Sequence, residues 1–184
     1  MLSNRYTALV TELQTISPMP DDEILDRLPL EAHLLDKLET ILMALQQETQ
    51  GEYPIELISP LLQVFGAGEG NEVYWSIVHL LEKYPKEEEL YPIVQQTTRN
   101  ANAGTRMWSC LVLGRRRDKE DEPFFVERLQ DEVANVRENA LIGINMLAQR
   151  YDMKHLVPVV SPLLEDEDSG VRTESADVLK MLED

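Results

Sequence analysis

A motif in the last third of the chain returns at a fixed offset. Asp131-x4-Val136-Arg137-x2-Ala140-x3-Ile144 recurs 35 residues on as Asp166-x4-Val171-Arg172-x2-Ser175-x3-Leu179. Self-similarity at a period of about 20–50 residues restricts a chain to architectures in which each unit buries its apolar face only against its neighbours. The stretch around the first copy, 121–149, reads as two short helices joined by a turn. Two further copies emerge when Glu72, Thr105, Val136 and Val171 are set in one column, at spacings of 33, 31 and 35. Four residues on stand Ser76, Ser109, Ala140 and Ser175, and eight on Leu80, Leu113, Ile144 and Leu179. One residue before the column are Asn71, Gly104, Asn135 and Gly170, types that tolerate turns and cap helix starts. Thirteen before it lie Pro92, Pro123 and Pro158, as suits a first helical turn, where proline forfeits no intrahelical donor. The first copy departs with Ser59-Pro60, shifted by one, and a longer Gly66-Ala67-Gly68-Glu69-Gly70 turn.

These markers predict helix pairs at 53–65 with 72–84, 87–98 with 104–116, 121–130 with 135–150, and 153–165 with 170–183. Ahead of them, Tyr6, Leu9, Val10, Leu13 and Ile16 form one face of a helix over 4–16, which Ser17-Pro18-Met19-Pro20 ends. A short helix follows Asp21-Asp22-Glu23 and stops near Pro29. The strongest amphipathic pattern is 31–48, with Leu34, Leu35, Leu38, Ile41, Leu42 and Leu45 on one stripe and Glu31, Asp36, Lys37, Glu39 and Glu48 opposite. Nowhere does period-two alternation run long enough for a sheet.

The Asp-x4-Val-Arg-x2-Ala-x3-Ile pattern behind a proline-bearing helix resembles the HEAT repeat. Asn100, Thr105, Arg106, Ser109 and Leu113 give a third copy; the first has Val73 in the Arg column. The period is shorter than the usual HEAT length of about 40–47 and is similar to the short HEAT-like repeats of bilin-lyase-type proteins and bacterial adaptors. Tetratricopeptide repeats share the period, but Trp108-x2-Leu111-Val112 lacks their glycine. The resemblance implies an all-α fold, a right-handed α–α superhelix (HEAT-like solenoid) of about four helical hairpins preceded by an N-terminal helical cap. A single domain over 1–184 is expected, with 1–50 as cap and 52–184 as repeats. It further implies a structural ladder linking Asn100, Asp131 and Asp166 to Arg106, Arg137 and Arg172.

The net charge of −17 opposes nucleic acid as a partner, since affinity there comes from Lys and Arg neutralising phosphates. It would draw a basic protein instead. Residues 1–50, 51–100 and 151–184 carry −6, −5 and −6, and 101–150 carry 0, with most of the cations there being Arg. The single cysteine, Cys110, excludes an internal disulfide framework and sits in an apolar stretch as a core residue would. There is no signal-type apolar segment and no run of about 18 apolar residues, so a cytoplasmic protein without membrane contact is expected.

Signs of chemistry are few. His33, His79 and His155 match no metal spacing, and no cofactor or metal is expected. Gly66-x-Gly68-x-Gly70 looks phosphate-like, but no strand precedes it and Asn71 stands in place of the last glycine. A helix–helix turn explains it better. The runs Glu87-Glu88-Glu89 and Glu165-Asp166-Glu167-Asp168 lack the alternating ligands of a calcium loop and should face solvent.

What remains is a surface. In a HEAT-like solenoid the second helices line the concave side, which would carry Tyr74, Trp75, Trp108, Leu111, Arg115, Asn139, Ile142 and Met146. Aromatic side chains beside Arg are what binding hot spots favour. Alternatively Trp75 and Trp108 pack between repeats. The expected function is a non-catalytic module gripping a basic protein through that face, with an immunity- or antitoxin-like inhibitor as one concrete role. Two other readings stay open: an accessory lyase or other small-molecule-handling protein near His79 and Cys110, and nucleic-acid binding through Arg106, Arg115, Arg116 and Arg117.

Overall fold

The computed structural model describes residues 3–27 and 32–183, with the side chains of Asp26, Ala32 and Asn71 outside that description. The expected helix stop at Pro29 and the polar-face Glu31 also lie outside it. The described residues form eleven α-helices with short 3₁₀ turns and no strand. They divide into two compact units, Met1–Thr97 and Thr98–Asp184. The boundary falls inside the hairpin read from 87–98 and 104–116.

The first unit holds α1 (Asn4–Thr15), α2 (Asp22–Arg27), α3 (Ala32–Glu48), α4 (Ile58–Gln63), α5 (Val73–Glu82) and α6 (Glu87–Thr97). Ser3 caps α1 by accepting from the Tyr6 N–H at 3.0 Å. Tyr6, Leu13 and Ile16 are buried, while Leu9 and Val10 are only part-covered. The α3 stripe is buried at Leu35, Leu38, Ile41, Leu42 and Leu45. It packs on α1 and α5, and α4 packs on α1, α5 and α6. Leu57, Ile58, Leu61, Leu62 and Phe65 supply the middle of this core.

The second unit holds α7 (Ala103–Arg116), α8 (Glu122–Arg128), α9 (Ala134–Ala148), α10 (Val157–Val160) and α11 (Ser169–Glu183). Helices α7, α9 and α11 lie side by side, with α8 on α9 and α10 on α11. Two glycines permit close packing against α9, Gly114 from α7 and Gly143 beneath the Phe125 ring of α8. A Cβ on Gly114 would meet the Gly143 Cα at 3.1 Å, and a Cβ on Gly143 would enter the Phe125 ring.

Local structure departs from the sequence reading at several points, each with a physical cause. The helix expected over 153–165 is split into a 3₁₀ turn, α10 and a second 3₁₀ turn at Ser161–Glu165. Pro162 has no N–H to give the carbonyl four residues back and its ring crowds that carbonyl, which favours a break in the α-helical ladder here. Pro123 and Pro158 do stand in first turns. Pro92 does not: the acids Glu87–Glu89 suit the positive helix end, α6 starts there, and Pro92 becomes internal. Pro92 and Glu88 are exposed, so water can take the carbonyl that proline leaves unpaired. The residues read as caps, Gly104, Asn135 and Gly170, lie inside their helices. Asn102 caps α7 through the Thr105 N–H at 2.9 Å, and Asp168 caps α11 through those of Gly170 and Val171 at 2.8 and 3.1 Å.

Candidate protein-interaction surface

The second unit is tied together by arginines that bridge consecutive repeats. Arg106 donates through Nε and Nη2 to Asp131 at 2.8 Å each, and through Nη1 to the carbonyls of Asn100 and Ala101 at 3.0 and 2.9 Å. Arg137 repeats the geometry: Nε and Nη2 to Asp166 at 2.9 and 2.7 Å, and Nη1 to the Asp131 carbonyl at 2.8 Å. Arg172 holds the Asp166 and Glu167 carbonyls at 2.7 and 2.9 Å. Each aspartate also accepts the backbone N–H two residues on, Val133 for Asp131 and Asp168 for Asp166, and Asn100 does the same for Asn102.

Burial pushes the Asp131 carboxyl up. The Arg106 hydrogen bonds, the Val133 N–H and the charges of Arg106 and Arg128 outweigh it, and the group ends below the ordinary carboxylate range. The Arg137 hydrogen bonds hold Asp166 low against a smaller cost of burial. Of the acid run expected to face solvent, Asp166 and Asp168 are therefore structural, and only Glu165 and Glu167 are exposed.

The residues proposed for the concave face fall into two groups. Leu111 on α7 and Asn139, Ile142 and Met146 on α9 are part-exposed, and Arg115 is exposed. Met146 Sδ lies 3.2 Å from where a Cβ on Gly114 would be, which places it against α7. On α11, Glu174 is part-exposed and Asp177 and Met181 are exposed. Burial pushes the Glu174 carboxyl above its usual value; a hydrogen bond from Asn145 pulls it down, and Asp177 and Glu138 push it up.

Two members do not belong to a surface. Tyr74 is fully buried, and its hydroxyl accepts the Gly66 N–H at 3.0 Å. Desolvation pushes its pKa up to about 12. Trp108 is 3% exposed, because α7 is enclosed: every residue from Gly104 to Gly114 except Leu111 is buried. Trp75, in the other unit, is part-exposed and stacks obliquely near His79, with ring centroids 6.2 Å apart.

The glycine-rich turn of the first unit already holds an anion of its own. The Asp22 carboxylate accepts from the Glu69 and Gly70 N–H groups at 2.7 and 3.1 Å. Gly70 adopts φ +58°, and a Cβ on Gly68 would enter the Asp22 carboxylate. The sequence gives no hint of this pairing, since 47 residues separate Asp22 from Glu69. The same unit has a groove of about 390 Å³ whose lining includes Leu42, Met43, Tyr53, His79, Leu80 and Tyr84.

Other expectations narrow. Cys110 is fully buried, and desolvation pushes its thiol up to about 12; such surroundings disfavour the thiolate that a nucleophile needs. Of the arginines considered for nucleic acid, Arg106 is spent on Asp131, and Arg116 pairs with Asp118 and Asp121 at 3.0 and 3.4 Å. Among the described residues no helix is long and apolar enough to cross a membrane. None of their His, Cys, Asp and Glu side chains gather in threes or more as a metal site would.

The geometry defines a helical-hairpin repeat protein with an Arg–Asp bridge between successive units. Residues 123–151 match the family model described as HEAT repeat, which is consistent with a HEAT-like repeat protein. No curated protein matches it.

Proposed function

We propose that this protein is a non-catalytic interaction module that binds a basic protein partner along α7, α9 and α11. HEAT repeats generally mediate protein–protein interaction. The observation that carries the reading is that Leu111, Ile142 and Met146 are apolar side chains left part-exposed on adjacent second helices, with Arg115 exposed on the first of them. The net charge of −17 supports a basic partner, which such a field would steer. A small acidic inhibitor acting in the cytoplasm fits this size and charge.

A photo-crosslinking side chain at position 142, tested in host extract, should give a discrete adduct that weakens with salt. The same group at exposed Gln149 should not. Equal adducts from both positions, or none from position 142, would reject the surface. The groove of the first unit favours a second reading, small-molecule handling. Binding of an apolar fluorescent probe, abolished by Met43→Asp and Leu80→Asp, would establish it.

A further inference from the structure

The groove of the first unit is walled by side chains of α3 and α5 and by the residues just after each helix. Its apolar lining includes Leu42, Met43 and Leu80 with the rings of Tyr53 and Tyr84. The volume of about 390 Å³ falls within the roughly 300–1,000 Å³ typical of small-molecule sites. Met43 is 52% exposed, more than any other large hydrophobic side chain among the described residues.

Lys83 stands at the rim of this groove, and its pairing is exceptional. The other Lys and Arg side chains of the first unit are all ion-paired: Arg5 with Glu48, Arg27 with Glu23, Lys37 with Glu12 and Lys86 with Glu89. Lys83 meets no carboxylate among the described residues, although residues 51–100 carry a net −5. Its neighbour Glu82 is turned to His79 Nδ1 at 3.0 Å. Glu39, the acid of the lining, is also unpaired, but spare acids are what a chain with 34 Asp and Glu against 17 Lys and Arg must leave over. A spare cation is not. Lys83 is the C-cap of α5, where the negative end of the helix dipole keeps its ammonium charged. Tyr84 is 8% exposed, and neither its hydroxyl nor that of Tyr53 has a hydrogen-bond partner among the described residues. Burial pushes both phenols up, so both O–H groups stay donors.

We infer that this groove binds an amphipathic organic acid, its apolar body against Leu42, Met43 and Leu80 and its carboxylate on Lys83 Nζ. The inference rests on the small-molecule reading of the groove and gives that reading a ligand class. An apolar chain gains by leaving water along the wall, and an acid head entering with it needs a cation and donors to replace its hydration. Lys83 supplies the charge, and the two phenols are the donors at hand. A single ammonium suits a singly charged carboxylate; a phosphate dianion would bring a second charge that the lining does not meet.

The test titrates the full-length protein at neutral pH with decanoate, decanol and decyltrimethylammonium, each below its micelle-forming concentration. Calorimetry reads the affinity, and the Met43 methyl resonance reads the place. The field of a chain with net charge −17 by itself favours the cationic probe. Decanoate should nevertheless bind more tightly than the other two and shift the Met43 signal. Lys83→Gln should weaken decanoate about two- to fivefold, the worth of one surface charge pair. The same change should leave the affinity for decanol and the melting temperature as they were. If decanol or the cationic probe binds as tightly as decanoate, or decanoate is indifferent to Lys83→Gln, the inference is overturned and the small-molecule reading stands. If none of the three binds, or binding leaves Met43 unmoved, both fall.

Discussion

Arg137 and Asp166 meet edge to edge, Nε to Oδ2 at 2.9 Å and Nη2 to Oδ1 at 2.7 Å, with both side chains 8% exposed. Removing one partner of such a pair strands the other charge in a desolvated seam, at a cost of about 3–5 kcal/mol. Asp166→Asn and Arg137→Met should each destabilise the protein in urea unfolding. The double variant should cost clearly less than the sum, because it leaves neither charge behind. Additive losses would mean that the two side chains act independently.

Stability should fall in acid through the bridges. Asp131 and Asp166 both have folded-state pKa values held below the ordinary carboxylate range. Their contribution is complete above the unfolded pKa and disappears as pH drops through the folded one. Glu174 behaves oppositely. Its pKa is raised, so its contribution is present at low pH and is lost as pH rises through the folded value. Glu174→Gln should therefore raise the melting temperature at neutral pH and do little in acid, whereas Asp131→Asn should flatten the acid limb. Melting curves over pH 2–8 would check both signs.

The two tryptophans should separate cleanly. Trp108→Ala removes an almost wholly buried ring and should cost about 3–5 kcal/mol. Trp75→Ala removes a part-exposed one and should cost far less. Denaturant titrations of the two variants measure the difference. The emission of the Trp75→Ala protein should be blue-shifted relative to wild type, since only the buried indole remains.

Gly143→Ala drives a methyl group into the Phe125 ring, and overpacking of this kind costs about 1–3 kcal/mol. Gly114→Ala should be milder, because its methyl group would press on the Gly143 Cα at 3.1 Å and the Met146 thioether at 3.2 Å without overlapping either as deeply as the ring, and alanine favours the helix by about 1 kcal/mol. Phe125→Leu should recover part of the Gly143→Ala loss. Chemical denaturation of the three variants would show it.

Cys110 should resist thiol reagents in the native state. Its labelling should follow the population of unfolded molecules rather than the thiolate fraction of a surface cysteine. A thiol-labelling rate without denaturant as fast as that of the unfolded chain would place the sulfur at the surface.

The repeat itself was legible because it depends on residue types at fixed separations. Val136, Ala140 and Ile144 are buried on one face of α9 at the spacing a 3.6-residue period demands, and the Arg–Asp columns lie where the bridges form. Helix breaks were less legible. Pro162 was in view, but whether proline starts, bends or splits a helix depends on which residue begins the helix. The surface was harder still. Trp108 and Asn139 occupy the same column, yet one is enclosed and the other is not. A single column cannot report how closely its neighbours pack. Asp22 gave no signal at all, because its partners are backbone N–H groups distant in sequence.

That last contact changes what the glycine-rich turn can do. A tethered carboxylate is present at its receptor at an effective concentration of at least the millimolar order, and it arrives without the entropy loss of a free ligand. Any phosphate in solution would have to compete against it while approaching a protein of strongly negative charge. The turn is thus a filled socket, and its plug is the first residue of α2.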